Sequence, residues 1–155
     1  MATKSKIKIV DNDSIRQEID TLYEQMDHVD VAKWALLVAK HILEVVGIDY
    51  TVIDEIADGF TIHELWQVKK ARVHDARMAS IAIHHLAKNC DDEIQKLAFR
   101  VAGHAVASAH MAEHSMVASD YAIKTIDLYT SNDIEAITRE RTWQRNEIER
   151  IWAKG

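Results

Sequence analysis

"AFRVAGHAVASAHMAEHS", Ala98 to Ser115, decides how this chain folds. Ala98, Ala102, Ala105, Ala109 and Ala112 recur at spacings of 4, 3, 4 and 3, which sets all five on one narrow face of a helix. Alanine is the best helix former, and that accounts for their number but not for their spacing. In the preceding stretch Ala76, Ala79 and Ala82 share an arc with Ile83 and Leu86. Small residues facing small residues bring two helices to the short end of the ~8–10 Å range of separations. The pattern therefore predicts an all-α fold nucleated by a close-packed, alanine-rich helical hairpin.

The rest of the chain fits that nucleus. There is no proline and there are only four glycines in 155 residues, so long helices are permitted and one domain is expected. Residues 1–13 read as a flexible arm and 14–152 as a single bundle of five or six helices. Ser14 and Gln17 form a capping signature for a helix to about Asp27. Asp30 caps Val31 to Val46, apolar on most sides and ended by Gly47. "IDYTVIDEIADGF" reads as a short helix stopped by Gly59, and Thr61 with Glu64 opens a long helix to about Lys88. Asp92 to Thr130 is helical by pattern, although "AHMAEHS" can hide a break. Ser131 caps a last helix to about Trp152.

Charge and composition exclude several classes. Nineteen Lys and Arg against 25 Asp and Glu give a formal charge of −6, which disfavours nucleic acid and favours a basic protein partner. "MATKSKIKIV" lacks the apolar stretch of a signal peptide, and Lys33, Lys40, His41 and Glu44 interrupt the longest apolar region. A cytoplasmic protein without membrane contact is expected. The single cysteine, Cys90, cannot form an internal disulfide and has no metal-ligand spacing around it.

Nine histidines invite a search for a metal centre. His110 and His114 have the i, i+4 spacing by which a helix offers two ligands, but about 0.5 such pairs are expected by chance at this composition. On one continuous helix His104 lies roughly 100° or more around the axis from His110 and His114, so the three cannot meet on one ion. Only a chain break after Ala109, or ligands from another helix, would change this. His104 is better read as a hydrogen-bonding residue beside the alanine seam, and no cofactor is expected.

"VHDAR", Val73 to Arg77, holds the His-Asp dipeptide of metal-dependent phosphohydrolases. His74 and Asp75 would then need His41 from an earlier helix and Asp120 from a later one. This is the alternative, enzymatic reading. The residues around the dipeptide are charged, and Asp75 falls toward the apolar arc, where Arg72 or Arg100 could pair with it. On the last helix Ile134, Ile137, Ile148 and Trp152 make the core stripe, with Trp143 roughly opposite among Arg139, Arg141 and Arg145. Trp143 and Ile151, both off the main stripe, also suggest a homodimer.

"DVAKWALLVAKHIL", "ARMASIAIHHLA", "FRVAGHAVASAHMAEHS" and "ERTWQ" together resemble successive blocks of the bacterial immunity-five-like immunity protein family, over about Val29 to Ile148. Arg100, Gly103, His104, Ala105, His110 and His114 match its glycine-histidine-alanine block. His84 matches the preceding helix, and Trp34, Trp143 and Gln144 match the flanking blocks. Ser108 and Ser115 stand where Thr and Ala are usual, and "GIDYTVIDEIADGFTIHE" replaces a proline-containing acidic loop. The resemblance implies a non-enzymatic cytoplasmic protein that binds and neutralises a cognate toxin.

Overall fold

A computed structural model describes residues 3–155, and their regular structure is helical: seven α-helices and one 3-10 turn, with no strand among the described residues. Helix α1 spans Asp13–Gln25 and is capped by Asn12, whose side chain accepts from the Ile15 N–H. Helix α2, His28–Val45, carries Trp34, Ala35, Val38, Ala39, Ile42 and Leu43 fully buried, as its nearly continuous apolar surface requires. Gly47 follows it at φ +76°, a left-handed turn with no side chain in the way. Then come the Tyr50–Val52 turn, α3 (Asp54–Gln67), α4 (Val73–Lys88), α5 (Glu93–Ala107), α6 (His114–Tyr129) and α7 (Ile134–Lys154). Helix α5 is the centre of the bundle and packs on α4, α6 and α2.

The count exceeds five or six because the Asp92–Thr130 segment is interrupted, while the break expected at Gly59 lies later in the chain. Gly59 and Thr61 lie inside α3, and the chain leaves the helix only after Gln67. There Lys69 takes a left-handed φ of 63°, and the Lys70 N–H closes on the Leu65 carbonyl at 2.8 Å, a helix stop that glycine usually supplies. Helix α4 restarts where the Arg72 N–H donates to Asp75 Oδ2 at 3.0 Å. Gly59 stays helical because it is a packing site. A Cβ there would stand 2.8 Å from Ile83 Cδ1 and 3.4 Å from Val106 Cγ2. The second interruption runs from Ser108 to Glu113 and separates α5 from α6.

The alanines lie in the core but do not form the expected seam. Ala98, Ala102 and Ala105 are fully buried, whereas Ala82 is exposed. Helix α4 approaches α5 over Gly103, roughly 130° around the axis from that alanine face. On α7, Ile137 and Ile148 are buried as expected, but Ile134 and Trp152 are 43% and 44% exposed. The core stripe of α7 instead includes Glu140, Arg141 and Gln144.

Arg141 is fully buried and must be neutralised where it stands. Its Nη2 donates to Asp11 Oδ2 at 2.6 Å and to Asp120 Oδ1 at 2.8 Å, and its Nη1 donates to Gln144 Oε1 at 2.9 Å. Asp120 on α6 also accepts two bonds from Arg16 of α1, at 2.8 and 2.9 Å. The segment 3–12 has no regular structure but is fastened to this network. Thr3 donates its N–H to Asp20 Oδ2 and accepts from Arg16 Nη1, and Asp11 holds Arg141. Met1 and Ala2, the start of the expected arm, lie outside the described residues.

Replacing Asp120 by Asn leaves two buried guanidinium groups with too little countercharge and is expected to cost about 3–5 kcal/mol of stability in urea unfolding. The same change at Asp75, on the surface, is expected to move the unfolding midpoint far less. Equal effects would contradict the structural role of Asp120.

Candidate functional site

Five of the motif residues that the resemblance singles out converge where α4, α5 and α6 meet. Gly103 lets the His84 ring lie against the α5 backbone, since a Cβ at 103 would stand 2.6 Å from His84 Cε1. Arg100, one turn earlier, donates from Nη1 to His84 Nδ1 at 2.9 Å. A guanidinium has no acceptor, so His84 Nδ1 accepts and its proton sits on Nε2. The His84 edge meets the His104 ring with centroids 4.6 Å apart. His104 is sandwiched further by His114 and Tyr121, stacked at 5.3 and 5.1 Å.

The chain break after Ala107 brings His114 to His104. Their Nδ1 atoms face each other at 3.1 Å, so one ring donates and the other accepts. That pair holds together with one proton between the two nitrogens and is broken by two. His110 lies in the turn between them and is exposed. Among the described residues no group of three or more His, Cys, Asp or Glu is arranged to hold a metal ion.

Burial first, and the Arg100 charge second, push His84 down to about 4. Burial and then neighbouring His84 push His104 to about 3. His114 is also lowered, by burial, against the opposing pull of Glu113. All three rings are therefore neutral at pH 7.

The break itself is held by histidines that periodicity could have flagged but motif reading passed over. His63, fully buried on α3, follows Ile56 and Phe60 at spacings of 4 and 3 on the core face. Its Nε2 meets Ser108 Oγ at 3.1 Å and its Nδ1 accepts from Gln67 Nε2 at 2.9 Å. Ser108 Oγ donates to the Ala105 carbonyl, and His28 Nε2 donates to the Ser108 carbonyl at 2.6 Å. Burial drives His63 to about 4. Next to the break, Ser115 Oγ is buried without a hydrogen-bond partner.

The four residues of the phosphohydrolase reading sit in different settings. His41 on α2 bonds Glu140 at 2.9 Å and stacks on Trp143 with centroids 3.7 Å apart. The two line an open cleft of about 350 Å³ with Tyr129 and Arg139. His74 is exposed at the start of α4. Asp75 does pair with Arg72, at 2.9 Å, but on the surface rather than in the core. Asp120 is committed to Arg16 and Arg141. Trp34 is a buried brace, giving its Nε1–H to the Gln144 carbonyl at 2.9 Å. A groove of about 450 Å³ between α2, α3 and the end of α7, lined by Lys33, Leu36, Lys40, Glu64, Arg150 and Ile151, contains none of these residues.

Two outcomes are expected from this geometry. Gly103→Ala forces the His84 ring off α5 and is expected to destabilise the protein by about 1 kcal/mol net of the helix propensity gained. In a His84→Ala background the same change is expected to stabilise, because space is open and only the propensity gain of about 1 kcal/mol remains. The same sign in both backgrounds would contradict the contact. The second outcome concerns acid. His63, His84 and His104 take up protons in the unfolded chain below their ordinary 6.5 but not in the folded chain until about 4 or 3. The stability tied to their neutral burial is intact above pH 6.5 and is lost as pH falls from there toward 4. Urea midpoints are expected to drop between pH 7 and 5, less steeply in His63→Gln, and a flat profile would refute the assignment.

No helix among the described residues is long and apolar enough to cross a membrane. No curated protein and no solved structure matches the chain. The family model described as Imm-5 like putative immunity protein matches residues 21–151, a span that begins within α1, ends within α7 and includes every member of the histidine cluster. The chain belongs to the Imm-5 like putative immunity protein family.

Proposed function

We propose that the protein is a non-enzymatic immunity protein that binds and neutralises a cognate toxin in the cytoplasm of the cell that makes it. The observation that carries this reading is the family assignment over residues 21–151. The disposition of its polar groups supports a binding rather than a catalytic role. Asp120 is spent on two arginines, His41 on Glu140, and His63 on Ser108, so the groups best suited to acid-base work are already engaged in holding helices together. The formal charge of −6 favours a toxin of net positive charge, met at a rate that falls as salt is added.

Co-expression with toxic products of the genes adjoining its own tests the proposal. Growth should be restored by one of them, and that toxin should co-purify with the protein in a fixed ratio. Failure to suppress any toxic neighbour would overturn it.

A further inference from the structure

The charge around the histidine cluster runs against that of the whole protein. Arg100 has one hydrogen bond, to a neutral imidazole, and no carboxylate partner among the described residues. Lys124 lies over the Tyr121 ring at 5.8 Å, and Tyr121 in turn stacks on His104. Lys6, from the N-terminal segment, is close enough to disfavour a charge on His104 and His114. Neither lysine has an ion-pair partner among the described residues. Glu113, beside His114, is the one acid that registers on the cluster. Three unneutralised cations thus surround three neutral imidazoles, on a molecule that carries six excess negative charges.

Water solvates the two lysines, whereas Arg100, half-buried against a neutral ring, keeps an unmatched charge that an anion would complement. The rings are half-buried rather than sealed, so an anion can reach them. We propose that Arg100, His84, His104 and His114, rimmed by Lys6 and Lys124, form a binding site for an oxyanion of the phosphate class. Arg100 offers a planar fork suited to phosphate oxygens. His84 keeps its Nε2–H as a further donor, fixed in that tautomer by Arg100. The His104–His114 pair shares one proton between its Nδ1 atoms, and the ring that donates it can take up another on its bare Nε2, leaving the contact intact, when an anion compensates the charge. Groups facing the rings from each neighbouring element are Lys6, His84 on α4, Arg100 on α5, His110 and Glu113 in the turn, and Tyr121 and Lys124 on α6. Anion binding is thereby coupled to proton uptake at the histidines. The site goes beyond toxin neutralisation and stands or falls separately from it.

Histidine ring proton resonances of the intact protein, followed from pH 5 to 8, give the test. Inorganic phosphate is the probe, with chloride at matched ionic strength as reference. Phosphate is expected to shift the His84, His104 and His114 signals saturably, to draw histidine titration upward into this pH range, and to leave His74 unmoved. Arg100→Gln should weaken binding by about tenfold or more. Lys6→Gln, at an exposed position outside the helices, should weaken it by a smaller factor and guards against misfolding in the arginine variant. Shifts no larger than those with chloride, or equal phosphate affinity in both variants and the parent, would overturn the proposal.

Discussion

The bundle turns on a missing side chain. At Gly103 the α5 backbone is bare, and the His84 ring of α4 fills the space a methyl group would need. That contact sets how closely α4 can approach α5, and it aims His84 at Arg100 on one side and His104 on the other. The break between α5 and α6 then completes the cluster by swinging His114 onto His104. One constraint on packing thus gathers side chains from three helices. The imidazoles stay neutral because burial and neighbouring cations make their charged forms expensive.

A second requirement, charge neutrality in the core, fixes the packing of α1 and α7 on α6. Arg141 is buried without any exposure, and Asp11, Asp120 and Gln144 surround it with acceptors. Removing one partner from such a network costs far more than a surface pair is worth. The network joins α6 to α1, α7 and the N-terminal segment, and of these elements the alanine-rich α5 packs directly on α6. Asp120, the acid a metal-dependent reading would need, is consumed by this task.

Much of the architecture was legible from helical periodicity. The all-α class, the apolar α2 and the buried faces of α5 follow from residue spacing alone. The two helix breaks were not legible from glycine or proline, since Lys69 stops α3 in a conformation that glycine normally takes. Gly59, which reads as a stop, is instead a packing site within α3. Arg141 and Gln144 sit between Ile137 and Ile148 at spacings of 4, 3 and 4, so their burial was readable as polar residues on a core stripe. The convergence of His104 and His114 depends on the α5–α6 break, which "AHMAEHS" permits but whose geometry residue spacing does not fix. A continuous helix would have kept His104 and His114 apart.

Family membership and the neutral, cation-ringed histidine cluster are the grounds on which we propose a protein whose chemistry is recognition. That view rests on the imidazoles being hydrogen-bonded neutral rings at physiological pH. Nitrogen-resolved NMR of the histidine rings at pH 7 examines this directly. His84 should carry its proton on Nε2 alone, and His104 and His114 should show opposite tautomers with one proton shared between their Nδ1 atoms. Rings that are doubly protonated at that pH, or a pair with both Nδ1 atoms bare, would contradict it.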